Sequence, residues 1–218
     1  MNYRKLLIPP ILSILFIFGC KSRPQQTVGA AIPNKADSIR RLVESQEKAF
    51  MTQSNEVNDT LGRKITTVTF RTNVTKADLK IYEDGIIPWV NLDTPQKRIK
   101  NLVNPDEMVI PYQKVVLIID YPVAKPVFFE LTSQSKGFTR KQIIFEISKK
   151  YHELYEEEEK TAKIKTIPMG QRKTLANRNE TDGKYGIWGH DLSDLDLSSI
   201  DIYENADGRI FLSLDIES

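Results

Sequence analysis

The chain has 218 residues, with 31 lysines and arginines against 29 aspartates and glutamates, 40% hydrophobic residues and one cysteine. That balance gives no basic footprint for nucleic acid, and a lone cysteine excludes an internal disulfide framework. Length and apolar content suit a single domain with a core of its own.

Arg4 and Lys5 precede an apolar run over residues 6–18, which ends at Gly19 and Cys20. A basic start, an apolar middle and a small residue before the cut are the three parts of an export signal. The run of about 13 residues is too short for a hydrocarbon core that needs about 20 helical residues, and Pro9-Pro10 breaks a helix near its start. The string Leu15-Phe16-Ile17-Phe18-Gly19-Cys20 resembles the lipobox of bacterial lipoprotein precursors. The resemblance implies that residues 1–19 are removed as a signal peptide and that acyl chains, palmitate among them, are attached at Cys20. Two or more acyl chains anchor lastingly where one does not, each buried methylene contributing about 0.8 kcal/mol. Lys21 stands where an aspartate resembles the inner-membrane retention signal, which implies an outer-membrane lipoprotein facing the periplasm. Removing residues 1–19 takes away Arg4, Lys5 and no acid, so the remaining chain is formally neutral.

Residues 20–34 are polar, carry Pro24, Gly29 and Pro33, and read as a flexible tether reaching at most about 50 Å. Residues 35–218 then read as one α+β domain. Asp37 or Ser38 caps a first helix to about residue 53, with Ile39, Leu42, Val43, Gln46 and Phe50 on one face. A strand follows over residues 64–72. Pro88, Pro95 and Pro105 break residues 81–110 into short strands and one helical turn near 95–102.

Residues 114–121 and 126–132 read as a hairpin of central, well-covered strands around Pro122-Val123-Ala124-Lys125. Next comes the strongest helix signal, over residues 139–160. Thr139 and Gln142 have capping-box spacing, Phe138 and Ile143 staple spacing, and Ile143, Ile144, Ile147, Tyr151, Leu154 and Tyr155 share a face. A second hairpin closes the chain, with Leu195, Leu197, Ile200 and Ile202 opposing Ile210, Leu212, Leu214 and Ile216 around Asn205-Ala206-Asp207-Gly208. The expected fold is α+β, with antiparallel hairpins in one or two sheets and the helix packed on one face.

Residues 163–190 form a long, glycine-containing connection where a site is most expected. Its end, Tyr185-Gly186-Ile187-Trp188-Gly189-His190-Asp191, admits two readings. In the first, His190 is a general base or ligand oriented by Asp191 or Asp194, as in a hydrolase. In the second, Trp188 plugs the core, the glycines allow close turns, and His190 and Asp191 bond to backbone.

A zinc site needs several ligands at suitable spacing, and the sequence offers only His152 and His190 beside an anchored Cys20, which argues against zinc. Asp191, Asp194 and Asp196 lack the EF-hand pattern and read as acids on the outer side of a strand, and Glu156 to Glu159 read as a solvated run. No nucleophile elbow and no phosphate loop occurs, so no cofactor is expected. Phe138-Thr139, Tyr151, Tyr155, Asn177-Arg178-Asn179, Thr181-Asp182-Gly183 and 185–191, within residues 115–202, resemble a family of uncharacterised proteins, which implies a shared fold without a mechanism. The functional expectation is a lipid-anchored envelope lipoprotein with a non-catalytic binding or interaction domain. Its partners are the membrane through Cys20 and an envelope protein. An envelope hydrolase built on His190 and a periplasmic immunity-type protein are the alternatives.

Overall fold

The computed structural model describes residues 35–172 and 178–218, with the side chains of 35–39, 42 and 43 excepted. The expected signal segment, Cys20, the expected tether, Asn177 and the side chains of Ile39, Leu42 and Val43 in the first helical stripe therefore lie outside the described residues.

Helix α1 spans Lys35–Thr60 and continues a full turn and more past the boundary expected at residue 53. Gly62 ends the connection to β1 (Arg63–Thr69) at φ +100, where a Cβ would stand 2.4 Å from the Glu204 carbonyl oxygen. Only glycine fits such an approach. The proline-punctuated region holds β2 (Thr72–Asn73), β3 (Ile86–Ile87), β4 (Val90–Asn91), two short helical turns at Pro95–Lys97 and Ile99–Asn101, and β5 (Met108–Ile110). Then follow β6 (Lys114–Ile119), β7 (Val127–Thr132), β8 (Phe138–Thr139), helix α2 (Arg140–Thr161), β9 (Asp196–Glu204) and β10 (Ile210–Glu217). The fold is α+β, as the sequence leads one to expect.

The main sheet has the order β1-β9-β10-β6-β7, with β4 also paired to β9. The β6–β7 and β9–β10 hairpins are antiparallel, with Leu117 opposite Phe129 and Leu212 opposite Ile202. They are joined by a parallel pairing of β10 with β6, Leu212 beside Leu117. β6 is an interior strand, and every residue after Lys114 is buried. β7 is the edge strand rather than a covered one. Phe128 and Glu130 are exposed, and only Leu131 of its six residues is buried.

Helix α2 starts on the expected capping box. Gln142 N–H donates to Thr139 Oγ1 and the Gln142 side chain accepts the Thr139 N–H at 2.8 Å. Ile143, Ile144, Ile147, Tyr151 and Leu154 then face the sheet at 1% exposure or less, and burying each aliphatic chain stabilises the fold by about 1.5–3 kcal/mol. Along its length α2 is fixed by Ser148 Oγ donating to the Leu92 carbonyl at 2.7 Å and Tyr151 Oη donating to the Tyr121 carbonyl at 2.9 Å.

Tyr121, just past the end of β6, marks one end of the sheet, and Glu204, the last residue of β9, marks the other. Helix α1 touches both ends. Its Phe50 ring stands 4.7 Å from Tyr121, and Gly62 follows it beside Glu204. The residues of α1 before Phe50 consequently continue past the Tyr121 end, the end toward which α2 also runs.

Candidate functional site

The 185–191 segment forms its turns over the end of β6. Ala124 N–H donates to the Tyr185 carbonyl at 2.9 Å, Trp188 N–H to the Pro122 carbonyl at 3.1 Å, and His190 N–H to the Trp188 carbonyl at 2.8 Å. Trp188, 9% exposed, sits edge-on to Tyr121 at 5.2 Å and 6.5 Å from Phe50, the core-plug position of the structural reading. The His190 ring packs 5.3 Å from Tyr121 and 5.9 Å from Trp188 with only 7% of the residue exposed. Its carbonyl accepts Tyr155 Oη at 2.9 Å. Burial lowers the His190 pKa from its ordinary value, against the opposing pull of Asp194, Glu47 and Asp191. An aromatic, buried imidazole of this kind favours its neutral form.

Asp191 and Asp194 are employed in the loop. Asp191 accepts both Arg172 terminal nitrogens at 2.7 and 2.9 Å, a fork geometry that only arginine supplies. Asp194 accepts the Asp191 backbone N–H at 3.0 Å across the helical turn Leu192–Asp194. Of the three acids expected on a strand, Asp191 and Asp194 lie in this turn and only Asp196 lies in β9, where it accepts Asn91 Nδ2 at 3.1 Å. Among the described residues no group of three histidine, cysteine or acidic side chains is arranged to hold a metal ion. His152, on α2, bonds the Asp93 carbonyl at 2.9 Å and is remote in role from His190.

Glu158 departs from the expected solvated run. It is fully buried, and its carboxylate collects Thr181 Oγ1 at 2.6 Å and the backbone N–H groups of Gly183 at 2.8 Å, Tyr185 at 2.7 Å and Gly186 at 3.2 Å. Burial alone would raise its pKa, but the hydrogen bonds from Thr181, Tyr185, Gly183 and Gly186 outweigh it and hold the carboxyl below its ordinary value. A Cβ on Gly183 would stand 2.6 Å from that carboxylate. Beside it, Glu157 accepts Lys184 Nζ and Tyr185 Oη, each at 2.7 Å. The end of α2 is thus the socket into which the 181–186 loop plugs.

Two further buried polar groups escaped the sequence reading. Asp120, 3% exposed, has its pKa raised by burial, and its Oδ2 has no hydrogen-bond partner among the described residues. Arg178, 7% exposed, lies 5.0 Å over the Tyr155 ring. A cavity of about 330 Å³ lies elsewhere, lined by Lys114, Glu130, Thr132 and Arg209 at the start of β6 and β10. The histidine segment and the cavity are therefore at opposite ends of the sheet.

No family model, curated protein or solved structure matches the chain.

Proposed function

We propose that the chain is a lipid-anchored cell-envelope lipoprotein whose domain works as a non-catalytic binding or interaction module. The observation that carries the anchor is Cys20 at the close of the 6–18 apolar run, after Gly19 and before a polar tether. Support for a non-catalytic domain comes from the duties of the three candidate side chains. His190 packs between aromatic rings, Asp191 holds Arg172, and Asp194 closes a turn. A hydrolase would need the imidazole within reach of a substrate proton, directly or through one water.

The test is mass spectrometry of the N-terminal peptide, together with cross-linking in intact cells, for wild type and Cys20→Ser. The expected result is a diacylglyceryl mass on Cys20 and one envelope protein captured by the anchored form alone. An unmodified Cys20 thiol on the exported chain overturns the anchor, and a hydrolytic turnover abolished by His190→Ala in a folded domain overturns the non-catalytic reading.

A further inference from the structure

At the end of the sheet away from His190, β6 and β10 part. Their parallel pairing starts with Val116 beside Phe211, although β6 already pairs with β7 from Lys114 and β10 with β9 from Ile210. Arg209, which the register would place beside Lys114, is committed to the Asn205 turn instead. Its N–H donates to Asn205 Oδ1 at 2.8 Å and its carbonyl accepts the Asn205 N–H at 3.1 Å. The cavity of about 330 Å³ occupies the gap that this opens.

The pleat decides what the gap presents. Ser133 N–H donates to the Gln113 carbonyl at 2.8 Å, so the main-chain groups of Gln113 face β7 and those of Lys114, the next residue, face β10, short of where that ladder begins. Side chains two residues apart share one face of the sheet. Lys114 and Val116 therefore stand opposite Thr132 and Glu130 on the face away from Phe129, whose ring Lys150 of α2 covers. Arg209 and Phe211 alternate in the same way, with the guanidinium 5.4 Å over the Phe211 ring.

Two rows of side chains result. Arg209, Lys114 and Thr132 form the outer row, in which every member can donate a hydrogen bond. Phe211, Val116 and Glu130 form the inner row, apolar except at its β7 end. Arg209 Nη2 lies 3.7 Å from Glu130 Oε1, beyond hydrogen-bond distance, so both groups keep capacity for a ligand. Two cations against one carboxylate favour an anion on the outer row and a cation at Glu130. The volume sits at the lower end of the range of about 300–1,000 Å³ for small-molecule sites, which suits a small ligand rather than a docked helix or strand.

We propose that this cavity is a binding site for a small zwitterion of the α-amino acid class. Arg209, Lys114 and Thr132 hold its carboxylate, Glu130 takes its ammonium group, and Val116 with the Phe211 ring receives an apolar side chain. Charge-assisted bonds of both signs, set beside an apolar floor, select a ligand that carries all three groups. The inference deepens the binding-module reading and rests on it, whereas the lipid anchor plays no part.

The test is calorimetric titration of L-leucine and L-phenylalanine into the full chain in detergent, with leucinamide and N-acetyl-leucine as ligands that lack the carboxylate or the ammonium group. The expected result is saturable binding of at least one amino acid, weakened about tenfold or more in leucinamide and by Arg209→Ala or Lys114→Ala, as the loss of a charge-assisted bond requires. Glu130→Gln should weaken leucine but not N-acetyl-leucine, and Lys125→Ala, in the turn at the other end of the sheet, should change nothing. Circular dichroism confirms that each variant is folded. No binding of either amino acid to the folded chain overturns the inference, as does binding that Arg209→Ala and Lys114→Ala leave unchanged. In both cases the capture of an envelope protein by cross-linking still stands as the measure of the binding-module reading. Leucine that binds through Arg209 and Lys114 but is recovered chemically altered supports the site and fails the non-catalytic reading.

Discussion

Glu158 Oε2 accepts the backbone N–H of Tyr185 at 2.7 Å, joining residues 27 apart in sequence. Through this carboxylate the last turns of α2 organise the loop that carries Trp188 and His190, so the aromatic cluster depends on an acid some distance from it.

Glu158→Gln keeps the shape but turns an amide NH₂ toward groups that are themselves donors. One buried charge-assisted acceptor is lost and N–H groups are left unpaired, a cost of about 2–4 kcal/mol. Urea unfolding should show the lower midpoint. Hydrogen exchange should quicken at the amides of Gly183, Tyr185 and Gly186 while those of Ile143 to Ile147 change less. Unchanged exchange at the loop amides would remove Glu158 from its organising role.

Arg172 and Asp191 form a two-pronged pair whose side chains are 11% and 20% exposed. Partial shielding places their coupling above that of open surface pairs, at about 1–2 kcal/mol. A double-mutant cycle with Arg172→Ala and Asp191→Asn, read by denaturant unfolding, measures it. Arg172→Lys should recover less than half, because a single ammonium cannot reproduce the fork.

His190 is held neutral by burial, so its folded pKa lies below the ordinary value near 6.5. In the window below that value the unfolded chain binds the proton more readily than the folded one. Stability from this residue is then complete above the unfolded pKa and is lost as pH falls through it. The urea midpoint of the wild type should drop between pH 7.5 and 5.5, and the drop should shrink in His190→Gln. A midpoint that rises on acidification across this window would contradict the assigned direction.

Phe50 is half-buried against Tyr121 and Trp188. Phe50→Ala should cost about 2 kcal/mol, less than a fully buried phenylalanine, with the loss concentrated in α1. Faster exchange of α1 amides with α2 unaffected would identify α1 as the weaker-held helix. Equal acceleration in both would show that the two helices open together.

Legibility in the sequence followed distance along the chain. The Thr139–Gln142 cap and the Asn205–Gly208 turn are settled by residues within four positions of each other, and both formed as read. The β6–β10 parallel pairing joins strands nearly a hundred residues apart and leaves no local mark. β7 looked central because Val127-Phe128-Phe129 is apolar. The edge position appears only once the strand order is known, and Glu130 with Pro126 is the edge protection that could have suggested it. At the candidate site, Trp188 was readable as a core plug from its flanking glycines. Glu158 was not, since nothing local separates it from Glu156, Glu157 and Glu159, and only the returning 181–186 loop makes one carboxylate of the four a buried acceptor.

β10, which unites the two hairpins, is the last of the main sheet's strands in sequence order. Until Ile210–Glu217 has left the ribosome, β9 lacks its β10 partner and the β6–β7 hairpin lacks the neighbour that binds it to the rest. The growing chain thus cannot close its main sheet until β10 is made, and before then α2, through Ser148 on Leu92 and Tyr151 on Tyr121, is what links the two sides.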